Sequence, residues 1–189
     1  MRVISGLRKG HRLKSPKGTD VRPTEDRVKE SLFNILNRID EDSIILDGFA
    51  GSGAIGIEFL SRGAKLSYFV DKSRESIKSI EENLEHTKFK DQSKVIQSDL
   101  SLVIKRFNND NIKFDYIYLD PPFNQLNLIE NILNEISIND ILNIDGKIIV
   151  EHEKGLELEN KINNLEKTDY RKYGSKSITF YRKTNQGGN

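Results

Sequence analysis

Apolar positions recur along this chain with two periods. Val28, Leu32, Ile35, Leu36 and Ile39 fall three or four apart, the spacing of one helical face. That helix is expected to begin after Pro23, with Thr24 as its N-cap and Glu25 and Asp26 at the positive end of its dipole. From Ser43 onward, short apolar runs that read as strands (44–47, 66–71, 94–97, 114–120 and 146–151) alternate with stretches that read as helices (54–61, 73–86, 100–107 and 126–135). Repeated βα units of this kind build a parallel, doubly wound sheet. Two further runs, 168–173 and 177–182, meet around Gly174-Ser175 with no helix between them, which predicts an antiparallel hairpin at one edge. The expected fold is therefore α/β, with a mostly parallel, seven-stranded sheet.

At 189 residues the chain is long enough for one well-buried core. Its mean hydropathy is −0.59, and no apolar run approaches the roughly 20 residues of a membrane span. The N-terminus lacks the apolar core of a signal peptide, and there are no cysteines and only three scattered histidines. A cytoplasmic protein without a metal site is expected. The net charge of +1 conceals a segregation. Residues 1–23 carry seven cations against one acid, a net +6, which leaves −5 for the rest of the chain. A basic extension on an acidic body points to a polyanionic partner such as RNA or DNA. Within it, 2–6 and 7–13 read as a small hairpin and 15–23 as a turn-rich linker or binding loop. The expected organisation is thus a basic N-terminal extension at 1–23, an α/β domain at 24–184 and a short tail at 185–189.

The chain is organised around residues 44–56, where three apolar residues end in Asp47 and a glycine-rich turn opens into a helix. Such a turn presents a nucleotide-like ligand to a helix N-terminus. Taken alone it suits a dinucleotide, a nucleoside triphosphate or a methyl donor, and Gly51-x-Gly53-x-x-Gly56 matches the dinucleotide spacing outright. Four acids, Asp47, Asp71, Asp99 and Asp120, end strands or follow them, where an open α/β sheet builds its ligand crevice. Asp71 can accept ribose hydroxyls or cap the next helix. Asp99 can accept an adenine amino group or cap its own helix. Asp47 can accept backbone N–H groups of the loop or face a ligand's ammonium through water. The discriminating stretch is 116–123, ending in Asp120-Pro121-Pro122-Phe123. Two prolines remove two N–H donors and stiffen the exit from the strand, so the segment offers acceptors followed by an aromatic ring. This suits a planar base with an exocyclic amine: Asp120 and the Pro121 carbonyl accept the N–H bonds and Phe123 stacks on the ring.

Together these motifs resemble the class I S-adenosylmethionine-dependent methyltransferases that modify amines, and more narrowly the RsmD family. The matching residues are Arg2-Val3-Ile4-Ser5-Gly6 with 10–13, Arg22-Pro23-Thr24, Asp26-Arg27-Val28-Lys29-Glu30, Leu32-Phe33-Asn34, Leu46-Asp47 with 49–53, Ser61-Arg62-Gly63-Ala64 and 120–123. The resemblance implies a Rossmann-like class I methyltransferase fold and transfer to N2 of a guanine in 16S rRNA, leaving S-adenosylhomocysteine. It implies donor binding by Asp47, Phe49, Ala50, Gly51, Ser52, Gly53, Asp71, Lys72, Asp99, Leu100 and Thr24, with Asp120, Pro121, Pro122 and Phe123 at the target amine. Arg2, Arg8, Lys9, Arg12 and Arg22 would engage RNA. The implied partner is 16S rRNA, within a small-subunit assembly intermediate, met by a monomer with no membrane contact. Open alternatives are a DNA adenine-N6 or cytosine-N4 methyltransferase, an NAD-dependent oxidoreductase and a non-catalytic nucleic-acid binder. The last explains the basic extension and gives no reason for 120–123.

Overall fold

The structure, a computed structural model, describes residues 1–16, 23–122 and 125–184, with the backbone alone at 23–25. Arg22, Phe123, the Thr24 side chain and the 185–189 tail lie outside the described residues. The chain divides into two compact units, Met1–Asp99 and Leu100–Asn189.

In the first unit, β1 (Ile44–Gly48), β2 (Leu66–Asp71) and β3 (Ser93–Gln97) pair in parallel in the order β3-β2-β1. The crossovers are α2 (Ala54–Ser61) and α3 (Arg74–Thr87), preceded by α1 (Pro23–Leu36). Ile45, Leu46 and Phe69 are fully buried, as the continuous apolar runs of a parallel sheet require. Gly56 lets α2 approach β2 closely: a Cβ there would lie 2.3 Å from the Phe69 ring. Two expectations for α1 need correction. The helix begins at Pro23, whose missing N–H costs nothing in a first turn, so Thr24 lies inside the helix rather than at its N-cap. Ile35 is exposed while Phe33 is buried, packed edge-on at 4.7 Å against Phe59. The helix ends at Leu36, with Asn37 left-handed, so Ile39 is buried from beyond it.

The N-terminal segment packs into this first unit. A single antiparallel bridge, Arg2 to Arg12, closes a loop whose 3-10 turn spans Gly6–Arg8. Gly6 sits so close to α2 that a Cβ would lie 1.7 Å from the Ser61 carbonyl oxygen. Glu58 on α2 is wholly buried and accepts the N–H groups of Ile4 (2.7 Å) and Ser5 (3.0 Å). Its other partners are Arg62 at 2.8 Å and Lys29 at 3.6 Å.

In the second unit, β4 (Phe114–Leu119) and β5 (Leu142–Glu153) are parallel, and β8 (Lys176–Lys183), β7 (Leu165–Tyr173) and β6 (Lys161–Ile162) follow antiparallel in the order β4-β5-β8-β7-β6. The helices are α4 (Leu100–Asn109) and α5 (Leu126–Ile138). The sheet structure is thus mixed, with a parallel core and an antiparallel C-terminal part that extends beyond the expected hairpin. The two-residue β6 is an eighth strand, too short to show as an apolar run. β5 starts four residues before 146 because the ladder shifts register between its pairings with Phe114 and Tyr116, and Gly146 lies in that irregularity. Among the described residues no helix is long and apolar enough to cross a membrane.

Candidate functional site

In the first unit, Asp47, Asp71 and Asp99 follow one edge of the sheet. Asp47 pairs in register with Phe69, two residues short of Asp71, and Asp71 pairs with Gln97, two short of Asp99. Between β1 and α2 the chain bends through three left-handed residues, Phe49 (φ 66°), Gly51 (φ 55°) and Gly53 (φ 74°). For a phenylalanine this conformation is strained, a condition that surrounding structure must hold in place. Asp47, buried, accepts the Gly56 N–H at 2.9 Å and so ties the strand end to the first turn of α2. Asp71 accepts the N–H of Gly51 at 2.9 Å through one oxygen and that of Ser73 at 2.8 Å through the other. Ser73, not Asp71, caps α3, accepting from Ser76. Asn83 on α3 completes the support: its amide donates to the carbonyls of Ser52 (2.9 Å) and Lys14 (2.8 Å). Among the described residues a Cβ at Gly51 would meet nothing nearer than the Phe49 carbonyl oxygen at 4.0 Å, so they leave room there for a ligand. Asp99 is exposed and directly precedes α4, whose first residue, Leu100, is buried. Lys72, beside Asp71, is exposed, and its carbonyl accepts from Gln97 at 3.5 Å.

In the second unit, Asp120 follows β4, with Pro121 buried and Pro122 exposed. These three share a tight cavity of ≈ 10 Å³, about one water, with Glu151, His152 and Lys176. Glu151 is buried and accepts from both the Tyr118 hydroxyl and the Lys176 ammonium, and Lys176 lies 3.8 Å from Asp120. Tyr118, Glu151 and Lys176 were not anticipated from sequence. A signal existed, because Glu151 ends a strand-like run just as the four singled-out acids do. His152 is also buried, and burial pushes its imidazole below the usual pKa. Its Nδ1 donates to the Glu153 carbonyl at 2.9 Å, so Nε2 accepts from the Thr179 hydroxyl at 2.8 Å.

The basic residues of the N-terminal segment are held rather than trailing. Arg8 donates to the Thr87 carbonyl at 2.7 Å and lies 5.6 Å from the centre of the Phe89 ring. Arg2 pairs with Asp26 at 3.8 Å, while Lys9 and Arg12 are exposed.

Comparison with known proteins follows the same lines. A family model described as conserved hypothetical protein 95 matches residues 1–182. The "Putative rRNA methyltransferase YlbH" of Bacillus subtilis (strain 168) is 37% identical over 183 residues, covering 97% of this chain and 99% of that protein. "Ribosomal RNA small subunit methyltransferase D" of Haemophilus influenzae is 37% identical over 154 residues, covering 82% and 79%. The solved structure of "Putative methyltransferase yhhF from Escherichia coli" has a TM-score of 0.83 at 30% identity, covering 98% of this chain and 99% of that one. The fold is the class I methyltransferase fold.

Proposed function

The chain belongs to the RsmD/YhhF family of S-adenosylmethionine-dependent methyltransferases, described as conserved hypothetical protein 95, and we propose that it methylates the exocyclic N2 of a guanine in 16S rRNA. S-adenosylmethionine supplies, when bound, an electrophilic methyl on a sulfonium. The first unit has the residues to hold that donor. Asp47 fixes the loop through Gly56, the described residues leave room over Gly51, and α2 turns its N-terminal end toward the loop. A carboxylate offers about four lone-pair positions, so Asp71 keeps its two N–H bonds and still accepts ribose hydroxyls. Asp99 and the Leu100 N–H then read the adenine edge.

The observation that carries the amine reading is Asp120-Pro121-Pro122 at the C-terminal end of β4, a stiff segment rich in acceptors and lacking two backbone donors. An aromatic amine is a weak nucleophile because its lone pair is delocalised. Asp120 and the Pro121 carbonyl, each accepting one N–H, favour a nitrogen whose lone pair is directed at the methyl. With the donor bound, the N–C bond would form as the S–C bond broke, its electron pair staying on sulfur, and Asp120 or water would take the proton that the nitrogen sheds. Phe123 would stack on the guanine. The extension 1–23, through Arg2, Arg8, Lys9, Arg12 and Arg22, would meet phosphates, within a small-subunit assembly intermediate and with the protein as a monomer.

The test is mass spectrometry of rRNA from cells lacking this protein, with re-methylation of their small-subunit particles by the purified chain. One N2-methylguanine is expected to disappear and to return. Asp120→Ala should lower the rate about 10²- to 10³-fold with donor binding kept. Methylation of naked DNA in place of rRNA, or near-normal activity of Asp120→Ala, would overturn the reading.

A further inference from the structure

Of Asp120, Glu151 and Lys176 at the Asp120 cavity, Glu151 is the most deeply buried: its side chain is 8% exposed, against 21% for Lys176 and 41% for Asp120. A carboxylate so placed must be paired and hydrogen-bonded, and here strand register supplies both partners. In the parallel β4–β5 ladder Tyr118 stands opposite Ile149, two residues before Glu151 and therefore on the same face. In the antiparallel β5–β8 ladder Lys176 stands opposite Glu153, two residues after Glu151 and again on that face. Both side chains reach diagonally to Glu151, Tyr118 through its hydroxyl and Lys176 through its ammonium. One buried acid thus anchors donors from the strands on either side of it. The seated ammonium lies 3.8 Å from one carboxylate oxygen of Asp120.

We propose that Lys176, seated by Glu151 and Tyr118, is a positioning residue that sets the plane of the Asp120 carboxylate toward the target amine. The proposal rests on the reading that Asp120 holds that amine. The two prolines stiffen the main chain beyond Asp120 but do not themselves set the torsions of its side chain. A cation fixed from β8 restrains that turning, and the geometry of an accepting carboxylate governs how often the amine meets the methyl in line. Glu151 does not touch the substrate in this scheme. It places the cation.

The test compares methylation of small-subunit particles from cells lacking this protein by the wild type, Lys176→Met, Lys176→Arg and the double variant Glu151→Gln/Lys176→Met. Melting temperature and calorimetric S-adenosylmethionine affinity are measured alongside. Lys176→Met is expected to lower kcat about 10- to 100-fold with donor affinity unchanged. Lys176→Arg should recover most of the rate. The double variant removes the buried acid's charge together with its cation, so it should regain melting temperature without regaining kcat. If the double variant regains kcat, Lys176 serves only as the counterion of Glu151, and the proposal falls while the functional reading stands. Near-normal kcat in Lys176→Met overturns it likewise. Full activity in Asp120→Ala, measured in the same series, would instead remove the functional reading itself.

Discussion

At the strand ends of the first unit Asp47 and Asp71 accept main-chain donors, and in the second unit Glu151 accepts side-chain donors. Asp47 and Asp71 accept N–H groups from Gly56, Gly51 and Ser73. Glu151 accepts from a phenol and an ammonium, and Asp120 lies beside that same ammonium. Main-chain donors bring no formal charge and arrive with the shape of the loop, so the acid shapes a cradle and keeps lone pairs for a ligand's hydroxyls. A side-chain cation needs an anion of its own and is placed by strand pairing, so Glu151 and Asp120 share one ammonium. The first arrangement suits a site that must fit a bound donor, and the second suits a carboxylate that must point in one direction.

Glu58 tests this contrast hardest because it unites both kinds of donor. It takes two N–H groups from the N-terminal loop and two cations, one of them Lys29, which is itself buried. Burial pushes the Lys29 pKa down and Glu58 opposes the shift, so removing the acid leaves a desolvated ammonium without its carboxylate. Glu58→Ala is expected to cost about 3–5 kcal/mol in chemical denaturation and to speed amide exchange at Ile4 and Ser5. Asp47→Ala should cost less, about 1–3 kcal/mol, because it orphans the buried Gly56 N–H, whereas Glu58→Ala strands a buried ammonium. Equal costs for the two would erase the distinction between main-chain and side-chain anchoring.

The same distinction explains what sequence could reveal. The strand at 66–71 and the helix at 54–61 coincide with β2 and α2 to the residue, because each is marked by its own local pattern and by flanking glycine or charge. Asp47 and the N–H it accepts lie nine positions apart within one motif, so the role of that acid in shaping the loop was legible. Glu151 and Lys176 are 25 positions apart, Tyr118 and Glu151 33, and what joins them is register across three strands. No local pattern encodes that. β6 was missed because two residues have no period, and the early part of β5 because Asn143, Asp145 and Gly146 read as a turn. Ile35 entered the apolar stripe on spacing alone. Phe33, one step off that stripe, is buried because an aromatic ring can reach Phe59.

The smallest expected effect concerns His152, the neighbour of Glu151 in sequence and a neutral counterpoint to it. Its ring is satisfied without charge, donating to the Glu153 carbonyl and accepting from Thr179. Burial lowers its pKa, Lys167 adds to the shift, and the bond to the Glu153 carbonyl and the charge of Glu151 oppose it. The unfolded chain, with a histidine pKa of about 6.5, therefore takes up a proton that the folded chain resists. The contribution of His152 to stability is complete above that value and declines as the pH falls below it, toward the lowered folded pKa. Melting curves from pH 7.5 to pH 5.5 should fall more steeply for the wild type than for His152→Gln. The difference in slope should amount to about 1 kcal/mol or less, roughly 2–4 °C for a chain of this size. Parallel curves would mean that the imidazole charges inside the fold, and the second unit would then hold a titrating cation next to Glu151 in addition to Lys176.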